Sequence, residues 1–361
     1  TQEGVGYYQT TINNSRRSSS ARAYLKDAKQ RKNLTIATSA HATRVLIENG
    51  RAVGVEYRTP AGLQVAKARR EVIVSGGVYG SPQLLMLSGL GPAQHLQQHG
   101  IAVVKDMPGV GSHLHDHFNT YIAYKCSQPV TMNDLANSLP RRILAGMMYA
   151  FGRTGPLASM GLFVGAMVRS DKRLERPDLQ INMFAWAIKE RNRHGVVAQP
   201  FSAFGLSPVH LRPDGRGTVR LKSADPLAAP EIRFNFLKTA SDWDAMVKGM
   251  AICREIGKQA ALKPFVVEEI MPGASVTEEG ALRDYLRETG VSNLHPVGTC
   301  RMGREPDAVV DPQLRVHGIA GLRVADASIM PSIVAGNTNA PSIMIGEKCA
   351  DMVRAAATQA A

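Results

Sequence analysis

Apolar and polar positions change their rhythm twice along the chain. Residues 33–38, 43–48 and 51–57 alternate with the period of two expected of half-buried strands, and 63–68 repeats it. Asn49 and Gly50 separate the second strand from the third, and this pair suits a type I′ hairpin because both central residues need positive φ. Residues 20–29 read as a short helix capped by Ser20. At 70–74 the alternation gives way to an unbroken apolar run that ends in Gly76 and Gly77 and passes into a helical pattern. A parallel strand buried on both faces, turning straight into a helix, has this signature. Residues 92–99 and 101–104 then read as helix and strand.

From 119 to about 290 the texture is different. Strand patterns at 120–124, 179–186, 201–211 and 217–221 are interleaved with helical ones at 139–151, 241–257 and 278–288. Strands broken by occasional helices predict a mixed or antiparallel sheet, a separate layer from the opening part. Beyond 290 the αβ texture returns, with strands at 314–316 and 321–326 and a closing helix at 340–356. The expected organisation is one domain built from 1–118 and 291–361, with 119–290 inserted as a second domain.

Composition narrows the function classes. The chain has 361 residues, 44% apolar and 20% charged, enough for a sizeable core and ordinary for a globular protein. It holds no apolar run of the ~18 residues that a membrane-spanning helix needs. No signal peptide is visible, and the first residue is not Met, so a missing or clipped start is expected. The four cysteines are widely spaced without a CxxC pair, which predicts neither a zinc site nor a disulfide framework and suits a reducing compartment. A cytoplasmic location is expected, free or at the inner face of the membrane. The net charge of +13 is spread over short groups at Arg16 and Arg17, at 29–32, and at Arg141 and Arg142. No aromatic residues interleave with them, so nucleic acid is not an expected partner, whereas peripheral attraction to a membrane surface is in keeping with the charge.

Candidate chemistry concentrates in two loops. Residues 293–303 are rich in Pro and Gly and carry His295, whose ordinary pKa near 6.5 lets it take or give a proton at neutral pH, which makes it a candidate base. It is one of ten histidines, however, and most must be structural. The second dense run spans 326–331 and 336–341. Gly76 and Gly77 would let a backbone approach a phosphate or sugar at a helix N-terminus, although a tight packing turn explains them equally well. Gly109 and Gly111 open like a dinucleotide loop but lack the third glycine. His113, His115 and His117 with Asp116 resemble a metal cluster but have no downstream ligands at zinc spacing, so no metal is expected.

Four motifs in order carry a resemblance over essentially the whole chain: GGVYGSPQLLMLSGLG at 76–91, PGVGSHLHDH at 108–117, HPVGTCRMG at 295–303, and VADASIMP at 324–331 with GNTNAP at 336–341. The chain resembles the glucose-methanol-choline (GMC) oxidoreductases, in the choline dehydrogenase-like branch. The resemblance implies an α/β fold with a Rossmann-like FAD-binding domain built from discontinuous segments, plus an α+β substrate domain with an antiparallel sheet. It implies FAD as cofactor, His295 as catalytic base and Asn337 as the second active-site residue. It puts Ala42 near the adenine, Gly76 and Gly77 on the nucleotide side, and Asp326, Ala327, Thr338 and Asn339 near the pyrophosphate and flavin ring. The implied reaction oxidises a primary alcohol, choline or another, to the aldehyde by hydride transfer to flavin N5, with electrons passing to a quinone or other respiratory acceptor. An oxygen-using oxidase is the near alternative, and a non-catalytic remnant acting as a binding module the distant one. Family members open with a strand, GxGxxG loop and helix that this chain lacks, so it is expected to be a fragment. His113 and His115 stand where relatives often have Asn and Gln. Choline would call for an aromatic cage, for which Tyr124, Phe184, Trp186, Phe201 and Phe204 are the aromatics of the substrate part.

Overall fold

The computed structural model describes residues 2–159, 161–192 and 195–359. The chain divides into two compact units, each assembled from three separated segments. Unit 1 comprises 1–28, 117–212 and 239–293, and unit 2 comprises 29–116, 213–238 and 294–361.

Unit 1 is built on an eight-stranded antiparallel sheet. Its main path runs Gly4–Tyr7, Leu162–Val168, Leu179–Phe184, Ala203–His210, Phe118–Asn119 and Val291–Ser292, and Ile122–Cys126 pairs with both Ala203–His210 and Val266–Met271. The Ala203–His210 strand is buried along its whole length. The Ala240–Gly257 helix packs across it, and Gly249 allows the approach, since a Cβ there would lie 2.8 Å from Pro208 Cβ. Thr239 caps this helix by accepting the Asp242 N–H, while Asp242 reaches back to the Thr239 N–H. The Gly4–Tyr7 strand, for which the sequence offered no strand pattern, adds to one edge of the sheet. Next to it the Tyr8 hydroxyl donates to Asn182 Oδ1 at 2.5 Å and accepts from Gln180 Nε2 at 2.6 Å. Of the substrate-part aromatics, Tyr124 and Phe204 are buried and stacked at 5.2 Å, whereas Phe184 and Trp186 meet edge to face at 5.9 Å and keep partial exposure.

Unit 2 holds the αβ texture. The strands Val72–Val74 and Leu322–Val324 pair in parallel, 250 residues apart in sequence at the Ser75 to Ala325 bond that follows them. The Gly77–Leu87 helix leaves the first of them and buries Leu85 and Met86 completely. Beside it lies a three-stranded antiparallel sheet of His41–Glu48, Arg51–Thr59 and Gly62–Lys67, and its first hairpin turns on Asn49 and Gly50 with φ of 49° and 74°, the type I′ geometry. The long Asn339–Gln359 helix closes the unit, with Ile345 and Cys349 in the common core. All four cysteines are free thiols.

Several local expectations fail for identifiable reasons. Residues 33–38 alternate like a strand but find no partner strand and run as coil. Residues 101–104 are coil, and the strand falls instead at Lys105–Asp106, pairing in parallel with Leu90–Gly91. Residues 314–316 make only isolated bridges. Ser20 is itself helical, and it is Ser19 Oγ that accepts the Arg22 N–H. The 217–221 strand pattern is realised as Thr218–Arg220, which pairs with Glu231–Arg233 inside unit 2 and not within the large sheet.

Candidate active site

The site is assembled within unit 2 from three loops and one helix N-terminus. His295 begins a stretch whose backbone is held from both sides. Its own N–H donates to Asp116 Oδ1 at 2.9 Å, and two residues on Val297 exchanges backbone hydrogen bonds with His115. Gly298 has φ +95°, and a Cβ there would come within 2.4 Å of the His113 carbonyl oxygen, so only glycine lets the two loops lie this close. Further along, Thr299 Oγ1 donates to the Val78 carbonyl in the Gly77–Leu87 helix at 2.6 Å, and the N–H of Cys300 donates to the Ser328 carbonyl. His295 is thus fixed at backbone level although its loop has no regular secondary structure.

His295 is 9% exposed, and burial pushes its pKa down to about 4. Asn337 Nδ2 donates to His295 Nε2 at 3.0 Å, so Nε2 presents its lone pair and the ring is neutral. The two residues that the sequence singled out as catalytic, 42 positions apart, are therefore in direct contact. Neither Asp116 nor His115 was read as part of this arrangement. His115 Nδ1 meets the carbonyl of His113 at 2.7 Å, and its Nε2 meets the N–H of Ile333 at 2.9 Å. A carbonyl only accepts and an amide N–H only donates, so His115 is neutral with its proton on Nδ1, and burial lowers its pKa to about 4. This ring joins the 113–117 loop, whose backbone pairs with the His295 loop at Val297, to the segment that carries Asn337. The sequence signal for both residues was the histidine-rich run at 113–117, which looked like a metal cluster. Among the described residues no group of three His, Cys, Asp or Glu is placed to hold a metal ion.

The expected cofactor-binding residues fall into two sets. Gly76 and Gly77 occupy the turn between Val72–Val74 and the helix, beside Asp326 and Ala327 at the end of Leu322–Val324. Asp326 Oδ2 accepts the Gly77 N–H at 3.0 Å and the Ser81 hydroxyl at 2.5 Å, and Oδ1 accepts the Ser328 N–H at 2.8 Å. Its carboxylate is turned inward and ties the two turns together. Thr338 and Asn339 begin the last helix, where the Thr338 carbonyl accepts from the N–H and hydroxyl of Ser342. Ala42 stands elsewhere, paired with Tyr57 in the three-stranded sheet. The Gly109 and Gly111 turn serves packing: a Cβ at Gly109 would fall 1.8 Å from the Asp307 carbonyl oxygen, and one at Gly111 2.2 Å from that of Val219.

Comparison with known proteins identifies a family. Two family models, both described as GMC oxidoreductase, match residues 1–119 and 213–346. The oxygen-dependent choline dehydrogenase of Brucella ovis is 42% identical over 354 residues, covering 98% of this chain and 64% of that protein. The protein of the same description from Pseudomonas savastanoi pv. phaseolicola is 43% identical over 357 residues, covering 98% and 62%. The chain therefore spans somewhat under two thirds of the length of these relatives. Among solved structures, a formate oxidase of Aspergillus oryzae, described in connection with FAD modification, superposes with a TM-score of 0.92 at 29% identity, covering 99% of this chain and 66% of that one.

Proposed function

Because the chain belongs to the GMC oxidoreductase family, we propose that it forms the larger part of a flavoprotein that oxidises a primary alcohol, choline or a related one, to the aldehyde. The observation that carries this reading is the buried neutral His295 with Nε2 held toward Asn337. In this reading unit 2 holds FAD and the antiparallel sheet of unit 1 belongs to the substrate part.

The residues present suit such a cofactor. The turn at Gly76 and Gly77 offers a surface without side chains, and a Cβ on Gly77 would project into open space. The inward-turned Asp326 carboxylate does not confront a pyrophosphate. Gly76, Gly77, Ala327, Thr338 and Asn339 would line the cofactor, and Ala42 its adenine end. Bound FAD supplies the hydride acceptor.

The protein's own part is proton management. A substrate hydroxyl that takes the place of the Asn337 amide at Nε2 of His295 gives up its proton to the ring, which is neutral throughout the physiological range. The amide of Asn337, already aimed at this point, donates to the developing alkoxide. Asp116 holds the His295 backbone, and His115 fixes the neighbouring loops. Onward transfer of electrons to a quinone or other respiratory acceptor completes the proposed cycle.

His295→Ala in the intact gene product is expected to lower turnover by about two to four orders of magnitude while flavin content and melting temperature stay close to the parent. Turnover near the parent value would remove His295 as the base. Assaying peroxide in air during the same experiment separates a dehydrogenase from an oxygen-using oxidase, the reading favoured by the Aspergillus oryzae likeness. A panel of alcohols that includes choline identifies the substrate.

A further inference from the structure

Within unit 1, the last turn of the Ala240–Gly257 helix and the Val266–Met271 strand border a cavity of about 550 Å³. Small-molecule sites span roughly 300–1,000 Å³. Tyr124, on the strand that pairs with Val266–Met271, also lines the cavity. Gly257 lets the helix end lie on this side chain, since a Cβ there would fall 2.6 Å from both Cζ and Oη of Tyr124. Val266 and Ala274 add apolar wall.

The polar groups of this cavity are unevenly matched. Both carboxylate oxygens of Glu269 are taken by Arg254, whose Nε and Nη2 donate to them at 2.8 to 3.3 Å. Nη2 also donates to the Gly273 carbonyl, and Nη1 makes no hydrogen bond among the described residues. Lys258 is paired with Glu255 at 2.8 Å, whereas Lys263 has neither an ion pair nor a side-chain hydrogen bond among the described residues. Tyr124 is only 5% exposed, yet its hydroxyl has no hydrogen-bond partner among them either. Burial and the charge of Glu269 raise the pKa of this hydroxyl, so it stays a donor in search of an acceptor. The helix end does not supply one. Its Arg254 and Ile256 carbonyls accept the N–H groups of Lys258 and Gln259, and the Glu255 carbonyl accepts from Gln259 Nε2. Three cations and one committed carboxylate therefore border the cavity, with donors to spare and no matching acceptors.

We propose that this cavity binds a small organic carboxylate. Its charge lies toward Arg254 and Lys263 and supplies the acceptor that the Tyr124 hydroxyl lacks, while its apolar body rests on Val266, Ala274 and the Tyr124 ring. A cationic ligand would meet like charge, and an inorganic anion would leave the apolar wall unused. The site lies wholly in unit 1 and does not depend on the reaction proposed above.

Calorimetric titration of the intact gene product with benzoate tests this. Saturable binding in the millimolar range is expected for so small a ligand, with none for benzylamine and weaker binding for inorganic phosphate. Lys263→Glu should weaken benzoate about fivefold, as for loss of one partly exposed ion pair. Tyr124→Phe should weaken it about tenfold, as for one hydrogen bond to a charged group, and without benzoate its melting temperature should at least equal the parent's. His295→Ala should bind benzoate as the parent does, which keeps this site distinct from the candidate active site. Absent benzoate binding, equal binding of benzylamine or phosphate, or parent-like affinity in either the Lys263 or the Tyr124 variant overturns the proposal. So does loss of binding in His295→Ala, which would put the carboxylate at the candidate active site. A lowered melting temperature in Tyr124→Phe overturns it as well, because the hydroxyl would then already have a partner.

Discussion

At the scale of single residues, two neutral imidazoles define the candidate site and its response to acid. His115 is locked between an acceptor and a donor, and protonating it would break its bond to the Ile333 N–H. His295 accepts from Asn337 and lies in a desolvated position. Both fold with pKa values near 4, against an ordinary value of 6.5. Between pH 6.5 and 4 the unfolded chain binds these protons and the folded chain does not, so stability falls as pH is lowered through that window. The slope is at most about 1.4 kcal/mol per pH unit for each group. Unfolding midpoints in urea at pH 7, 6 and 5 should therefore decline, and His115→Gln should flatten the decline by about one proton; an unchanged slope would show that His115 is not held neutral. His295 was legible as a candidate from its loop and its chemistry. Asp116 and His115 were visible only as part of a histidine-rich run, because their partners lie 179 and 218 positions away and leave no local trace.

At the scale of elements, Asp326 joins two strand-to-helix turns that sequence patterns could place only separately. The apolar run ending in Gly76 and Gly77 was readable as strand, turn and helix, and so was the Asn49 and Gly50 hairpin, because glycine, asparagine and burial on both faces impose local chemistry. Residues 33–38 and 101–104 have equally good local patterns, but a strand also needs a neighbour, and the pattern contains no information about one. Asp326→Asn keeps the size and one acceptor but loses the charge that holds three donors. Loss of a charge-assisted network of this kind costs about 1.5–3 kcal/mol. A melting temperature lowered by several degrees with reduced flavin content is expected, and a variant with the parent's stability and flavin would show that the tie is dispensable. Gly77, at φ +76° with open space where a Cβ would go, separates the two possible costs of substitution. Replacement by alanine would be penalised by backbone strain of roughly 1–2 kcal/mol and not by collision.

At the scale of the whole molecule, the sequence textures identified an αβ part interrupted by a sheet-rich part, which is how fold class was legible. Texture did not reveal that the first 28 residues count with the antiparallel sheet, or that 213–238 count with unit 2. The first is an edge strand with every residue exposed, and the second is a short hairpin, Thr218–Arg220 with Glu231–Arg233; neither has a periodicity that names its partner. The core of unit 2 draws on Val72, Val74 and Leu85 from one end of the chain and on Leu322, Val324 and Ile345 from the other. Deleting residues 321–361 should therefore leave 29–116 open to limited proteolysis, while protection of that segment in the shortened chain would show that it is stable without the closing segment.

The parallel pairing of Val72–Val74 with Leu322–Val324 also sets a timetable. A ribosome adding ~5–20 residues per second spends roughly ten to fifty seconds on the 250 positions between the two strands. During that time the first strand, with its buried valines, waits for Leu322–Val324, its partner among the described residues, and closing so long a loop is slow even after release. The large antiparallel sheet is complete once residue 292 has emerged, whereas the loops bearing His295 and Asn337 can settle only after those later residues have followed. The candidate catalytic pair thus forms after the sheet of unit 1, and a chaperone that shields the nascent first strand should raise the yield of folded unit 2 more than that of folded unit 1.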